Sequence, residues 1–258
     1  MLTKLLKLNF LWVNKFALYF GGGALILGLA SRLTTDLTSV VGIIIHNTLQ
    51  SLAISAVIGL VANVLARSFV HFKNTLIRDE AYLHRTLPVE PSVHWNTHTL
   101  SFFFSMLICL VAVLGVLALL FLKGEVWETI KTLLESHVST IVFLLLTLIF
   151  EVTTLGLSVF SATILGRRTH KHRNLATGLY AIVFYLGAQI LLLGLAFILS
   201  QLFPSFANIF NATSDMPFLD VVKNFQNFFI LSGIFYALYS IALYFLGKRS
   251  LEKGVDVE

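Results

Sequence analysis

Six stretches of this chain are long and apolar enough to cross a membrane as continuous helices: 17–33, 37–66, 100–122, 138–165, 175–203 and 226–246. A hydrocarbon core of about 30 Å needs about 20 mostly apolar residues per helix. All four prolines (Pro88, Pro91, Pro204 and Pro217) fall in the gaps between the stretches, as expected where each helix must satisfy its own backbone groups in lipid. With 57% apolar and only 12% charged residues, the chain has too little polar surface to coat a water-soluble globule. It reads as an all-α polytopic membrane protein, a single transmembrane domain over residues 1–258 with six transmembrane helices.

Basic loops stay cytoplasmic, so orientation follows from the Lys and Arg residues. Arg32, Lys123, Lys131 and Lys223 fall on one side, and every other Lys and Arg of the 18 falls on the opposite side. That places both termini, the break after the second span and the loop after the fourth in the cytoplasm. The net charge of +5 is divided among four loops with no single stripe, which fits anionic headgroups and excludes a nucleic-acid surface. Before the first span, Leu2, Leu5, Leu6, Val13 and Phe16 can share one side while Lys4, Lys7 and Asn14 point away. A short interfacial helix and a frayed start of the first span both fit this pattern. The first apolar segment is of spanning length, which argues against a cleavable signal peptide. On the outer side, 123–137 carries apolar residues at helical spacing opposite Glu125, Glu128, Lys131 and Glu135, the pattern of a surface helix.

Two spans carry polar faces. In the second, Asn47, Ser51, Ser55, Gly59 and Asn63 recur at i+4, with His46 and Gln50 alongside. In the fourth, Thr147, Glu151, Thr154, Ser158 and Ser161 share a face, and the fifth adds Tyr185 and Gln189. Such faces serve close helix packing or line a translocation path, and both uses are open here. Glu151 is the sharpest member. An acidic group near the bilayer centre costs about 3 kcal/mol, so it must face the bundle, be paired or be protonated. As a path, the candidates are His46, Asn47, Gln50, Ser51, Glu151, Tyr185 and Gln189.

Chemistry-bearing motifs are absent. No Gly-x-x-x-x-Gly-Lys-Ser/Thr phosphate loop occurs, so this chain has no such route to ATP hydrolysis. Gly156-Leu-Ser158 lacks the second glycine of a nucleophile elbow. His170 and His172 have no carboxylate or cysteine company and make a poor metal site. The single Cys109 permits no intrachain disulfide. No catalytic residue, cofactor or metal is expected in this chain, which therefore reads as a non-enzyme.

Between the second and third spans lies a polar break, about 73–97. Its part 76–87 has helix-forming content that Pro88 ends, with Leu76, Tyr82, Leu83 and Leu87 as an apolar knob among Arg78, Asp79, Glu80 and Arg85. A helix of this kind suits either a groove on a soluble partner or the inner leaflet. Here Tyr82-Leu83 followed by Thr86-Leu87-Pro88-Val89 resembles the loop after the second helix in permease subunits of bacterial ABC-2 type exporters, and the tail after the sixth span is similar to theirs. The resemblance implies a bacterial cell-membrane location and a cytoplasmic coupling helix, in which Tyr82, Leu83, Arg85, Leu87 and Pro88 meet a separate ATPase subunit. ATP and Mg would reside in that partner, and a second permease copy or homologue would complete the assembly. The implied cargo is an amphipathic or hydrophobic compound, such as a peptide or antimicrobial, moved outward. The alternative is a stand-alone proton-coupled secondary transporter using Glu151 and His46. A membrane anchor or sensor subunit is a third.

Overall fold

The computed structural model describes residues 2–76, 90–121, 127–128, 131–132, 135, 138–169, 172–203, 206 and 218–253, with side chains of 218–224 left aside. Among the described residues there are seven long helices: α1 (Leu2–Asn14), α2 (Ala17–Thr34), α3 (Val40–Leu76), α4 (Pro91–Phe121), α5 (Val138–Arg167), α6 (Arg173–Leu202) and α7 (Phe218–Glu252). All but α1 are long and apolar enough to cross a membrane, and this suggests a multi-pass membrane protein. Of the amphipathic stretch 123–137, residues 127–128, 131–132 and 135 are described; they are helical and exposed.

The largest boundary differences from the sequence expectation flank the polar break, and the last helix, Phe218–Glu252, also outruns the expected 226–246 at both ends. The second span runs ten residues further than 66, to Leu76, and the third begins at Pro91 instead of 100. The prolines therefore do not all lie between helices: Pro91 is the first residue of α4, the position where a missing N–H costs nothing. At about 1.5 Å per residue, α3 with its 37 residues is far longer than the roughly 30 Å hydrocarbon core. It extends past the core at one end or both.

The chain forms two compact units, Met1–Ile130 and Lys131–Glu258. In the first, α2 is packed by its smallest residues. Ala17, Gly21, Ala24, Gly28 and Ser31 are its buried positions, spaced alternately four and three apart, so they form one stripe. Helices in lipid gain little from apolar surface alone, and small residues let backbones approach closely enough for dispersion to act. Ala24 meets Ala53 of α3 and Val116 of α4 at the centre of this contact. The opposite side of α2 carries Leu18, Ile26 and Leu33, all largely exposed.

In the second unit, α5 and α7 run parallel, joined by hydroxyl groups at heptad intervals. Thr147 donates to the Phe229 carbonyl at 2.8 Å, Thr154 pairs with the Ser240 hydroxyl at 2.8 Å and lies 3.4 Å from the Tyr236 carbonyl, and Ser161 donates to the Leu243 carbonyl at 3.0 Å. A heptad returns to the same helix face, so one seam recurs along the length of the pair. Ala188 and Leu192 of α6 close against Tyr236 on α7. Where α6 begins, His172 sits in the left-handed region at φ 55°, a conformation uncommon outside glycine.

Near the end of α5, Gly166 faces Thr177 of α6 and has no room for a side chain. A Cβ there would lie 2.6 Å from the Thr177 backbone nitrogen and 2.7 Å from its Cα, and backbone atoms have little freedom to retreat. Gly166→Ala is expected to destabilise the protein by about 1–3 kcal/mol through overpacking, read as a lower thermal unfolding midpoint in detergent. Gly187→Ala on α6, where a Cβ meets nothing within 4 Å, is the control, with an unchanged or slightly raised midpoint.

Candidate functional site

Polar groups in the spans divide into those answered by a neighbouring helix and those left open. Thr147, Thr154 and Ser161 belong to the first class, consumed by the α5–α7 seam. Glu151 shares their helix but not their situation. It lies at the middle of α5 and is half-buried, and its Oε1 accepts one hydrogen bond, from Gln189 Nε2 at 3.4 Å. Gln189 Oε1 in turn accepts from the Tyr236 hydroxyl at 2.9 Å. Tyr236 thus fixes the amide so that its N–H side faces the carboxyl. The other carboxyl oxygen accepts nothing among the described residues, and no Lys, Arg or His there pairs with Glu151. The amide that meets Glu151 comes from α6, within the second unit. Tyr185, one turn before Gln189, is half-buried and makes no hydrogen bond among the described residues.

In the first unit the polar face of α3 separates in the same way. His46 Nδ1 lies 2.9 Å from the Ser31 carbonyl, so its N–H donates there; the Ser31 and Thr34 hydroxyls stand at 3.4 and 3.5 Å. Ser31 and Thr34 are in the last turn of α2, where carbonyls lack helical donors. His46 therefore clips the α2–α3 hairpin. Gly59 packs beneath the Phe20 ring, 3.4 Å from where a Cβ would stand, and Asn63 is half-buried. Asn47, Ser51 and Ser55 are exposed and Gln50 is half-buried. None of these four finds a partner among the described residues. The same face presents Ile44 and Ile58, 60% and 64% exposed, so it is amphipathic.

A buried polar cluster at the far end of this unit was not anticipated from sequence. His71 Nε2 donates to Asn9 Oδ1 at 2.9 Å, and Asn9 Nδ2 donates to Thr97 Oγ1 at 3.2 Å. Thr75 Oγ1 meets His98 Nε2 at 2.9 Å. Trp12 stacks on the His71 ring at 4.5 Å, with the Arg67 guanidinium 4.3 Å from the Trp12 ring centre. These contacts bind α1 to α3 and α4. Val13 is buried, Leu5 and Leu6 are half-buried and Lys4 and Lys7 are exposed, as expected of α1, but Asn14 does not point away: it donates to Ser105 Oγ at 2.6 Å, while Phe16 is exposed. The available signal was the density of Ser, His, Asn and Thr at 92–98, which reads as a loop unless a polar helix face lies opposite.

Asn9 joins three helices, so Asn9→Leu is expected to cost about 1–3 kcal/mol by removing partners from buried polar groups. Amide hydrogen exchange should rise first in α1; exchange in α1 equal to that of the unsubstituted protein would mean that α1 is held by other contacts.

The expected coupling residues Tyr82, Leu83, Arg85, Leu87 and Pro88 lie outside the described residues. No cluster of three or more His, Cys, Asp or Glu suited to a metal ion occurs among the described residues. Set against family models, curated proteins and solved structures, the chain matches none of them.

Proposed function

We propose that the chain is the permease subunit of an ATP-driven exporter, translocating an amphipathic or hydrophobic compound outward when paired with a separate ATPase subunit. The observation that supports a transport role is Glu151. A purely structural carboxyl at mid-span is expected to have both oxygens answered, because lipid supplies no donor and charge there is costly. Glu151 has one long hydrogen bond and an open oxygen, whereas Thr147, Thr154 and Ser161 on the same helix are bonded to α7. Ser158 and Thr140 of this helix also lack a partner among the described residues, but a neutral hydroxyl costs far less in hydrocarbon than a carboxylate. The open oxygen is a contact for a cationic or hydroxyl-bearing part of a solute. The mixed face of α3, with Asn47, Ser51 and Ser55 among isoleucines, suits a solute that is itself amphipathic.

The ATP-driven form rests on the resemblance at Tyr82-Leu83 and Thr86-Leu87-Pro88-Val89. In this form the 77–90 connection between α3 and α4 is cytoplasmic and docks on the ATPase, and movement of that contact shifts the bundle between its two openings. The proton-coupled alternative has less support, since His46 is committed to the Ser31 carbonyl.

The test is export into inverted vesicles containing the chain with its co-purified partners, driven by ATP. Glu151→Gln is expected to lower the export rate at least tenfold, the effect of losing about 1.4 kcal/mol at a charged contact, while the thermal midpoint changes little. Export at the unsubstituted rate would remove Glu151 from the path. Export driven by a proton gradient without ATP would replace the ATP-driven form with the secondary transporter.

A further inference from the structure

We infer that a lateral groove between α1, α2 and α4 binds an anionic phospholipid, with one acyl chain along the groove and the phosphate at Lys15. The cavity measures about 770 Å³ and belongs entirely to the first unit. It is made by small residues: Ala112 and Gly115 of α4 face Gly21 and Gly22 of α2 across it, and a Cβ on Gly22 would meet nothing within 4 Å. Its length runs from Lys15 at the α1–α2 junction to Leu25, whose side chain lies over Gly115. At about 1.5 Å per residue that is about 15 Å, half of a roughly 30 Å hydrocarbon core, or one leaflet.

Charge lies at one end only. Apart from Lys15 and Asn14 the walls are apolar, and Asn14 turns its amide inward to Phe10 and Ser105. Lys15 lies 5.7 Å from the Phe16 ring centre, and Arg67 lies 4.6 Å from the same ring. Lys15 forms no ion pair among the described residues and is the one cation that lines the groove there; Arg67, which donates to the Trp12 carbonyl, lies beside Phe16 and outside the lining. Basic side chains at the headgroup level attract anionic lipids, and a groove of this apolar character in a membrane takes hydrocarbon. A phosphate above and a single chain below satisfy both ends with one molecule. The inference needs only the membrane setting and stands apart from the transport proposal.

The experiment is native mass spectrometry of the full-length protein in mild detergent, titrated with dioleoyl phosphatidylglycerol or dioleoyl phosphatidylcholine. The unsubstituted protein should retain the anionic lipid preferentially. Lys15→Gln should lower that preference about fivefold, the factor expected for one interfacial cation. Gly22→Phe, which fills the groove, should lose retention of the anionic lipid, whereas Ile26→Phe, at a 70% exposed position outside the groove, should keep it. Helical circular dichroism and a single size-exclusion peak establish that each variant is folded. Equal retention of the two lipids, or retention by Gly22→Phe at the unsubstituted level, would overturn the assignment. So would loss of a dimer in Gly22→Phe with lipid retention unchanged, which would make the groove an interface between copies.

Discussion

Lipid offers no hydrogen bonds, and the two helical units follow from how this chain answers that constraint. The α5–α7 seam is the clearest answer. Thr147, Thr154 and Ser161 reach carbonyls or hydroxyls of the partner helix at heptad intervals, so polar groups that would be a cost in hydrocarbon become the contacts that set the register. Hydrogen bonds of this kind average about 0.6 kcal/mol each in membrane proteins. Their energetic share is modest, but their geometric selectivity is high. Small residues do the corresponding work on α2, where Ala24 and Gly28 bring α3 and α4 close. The buried Asn9, His71 and Thr97 tie α1 to the same unit.

The six spans were legible because length, hydropathy and proline placement all bear on one physical requirement, a helix that satisfies itself in lipid. Their ends were less legible. Residues 92–98 are polar enough to read as a connection, yet they are helical because Asn9 and Thr75 bring polar atoms to meet Thr97 and His98. That pairing is a tertiary fact with no local signature. The alternation Ala17, Gly21, Ala24, Gly28, Ser31 was present in the sequence as a packing stripe, but in so apolar a segment small residues attract less notice than polar ones.

The polar faces were visible in sequence; which of their members are consumed by packing was not. On α5 the same face holds the seam hydroxyls and Glu151, and only the position of α7 separates them. On α3, His46 and Gly59 are engaged with α2, while Asn47, Ser51 and Ser55 are not. Residue type and spacing are alike for both groups, so sequence periodicity could not make the distinction. The segment 82–89, which carries the resemblance, falls outside the described residues.

On the proposed transport role, the unengaged polar face of α3 lines a water-accessible path. Single cysteines at Asn47, Ser51 and Ser55, with Cys109 replaced by alanine, test it most directly through their reaction with a hydrophilic thiosulfonate in native membranes. The account predicts modification at all three positions, and none at Ile26, which is exposed on the apolar side of α2. Three unreactive positions, with Ile26 equally unreactive, would contradict it and return the face to a contact with lipid or protein.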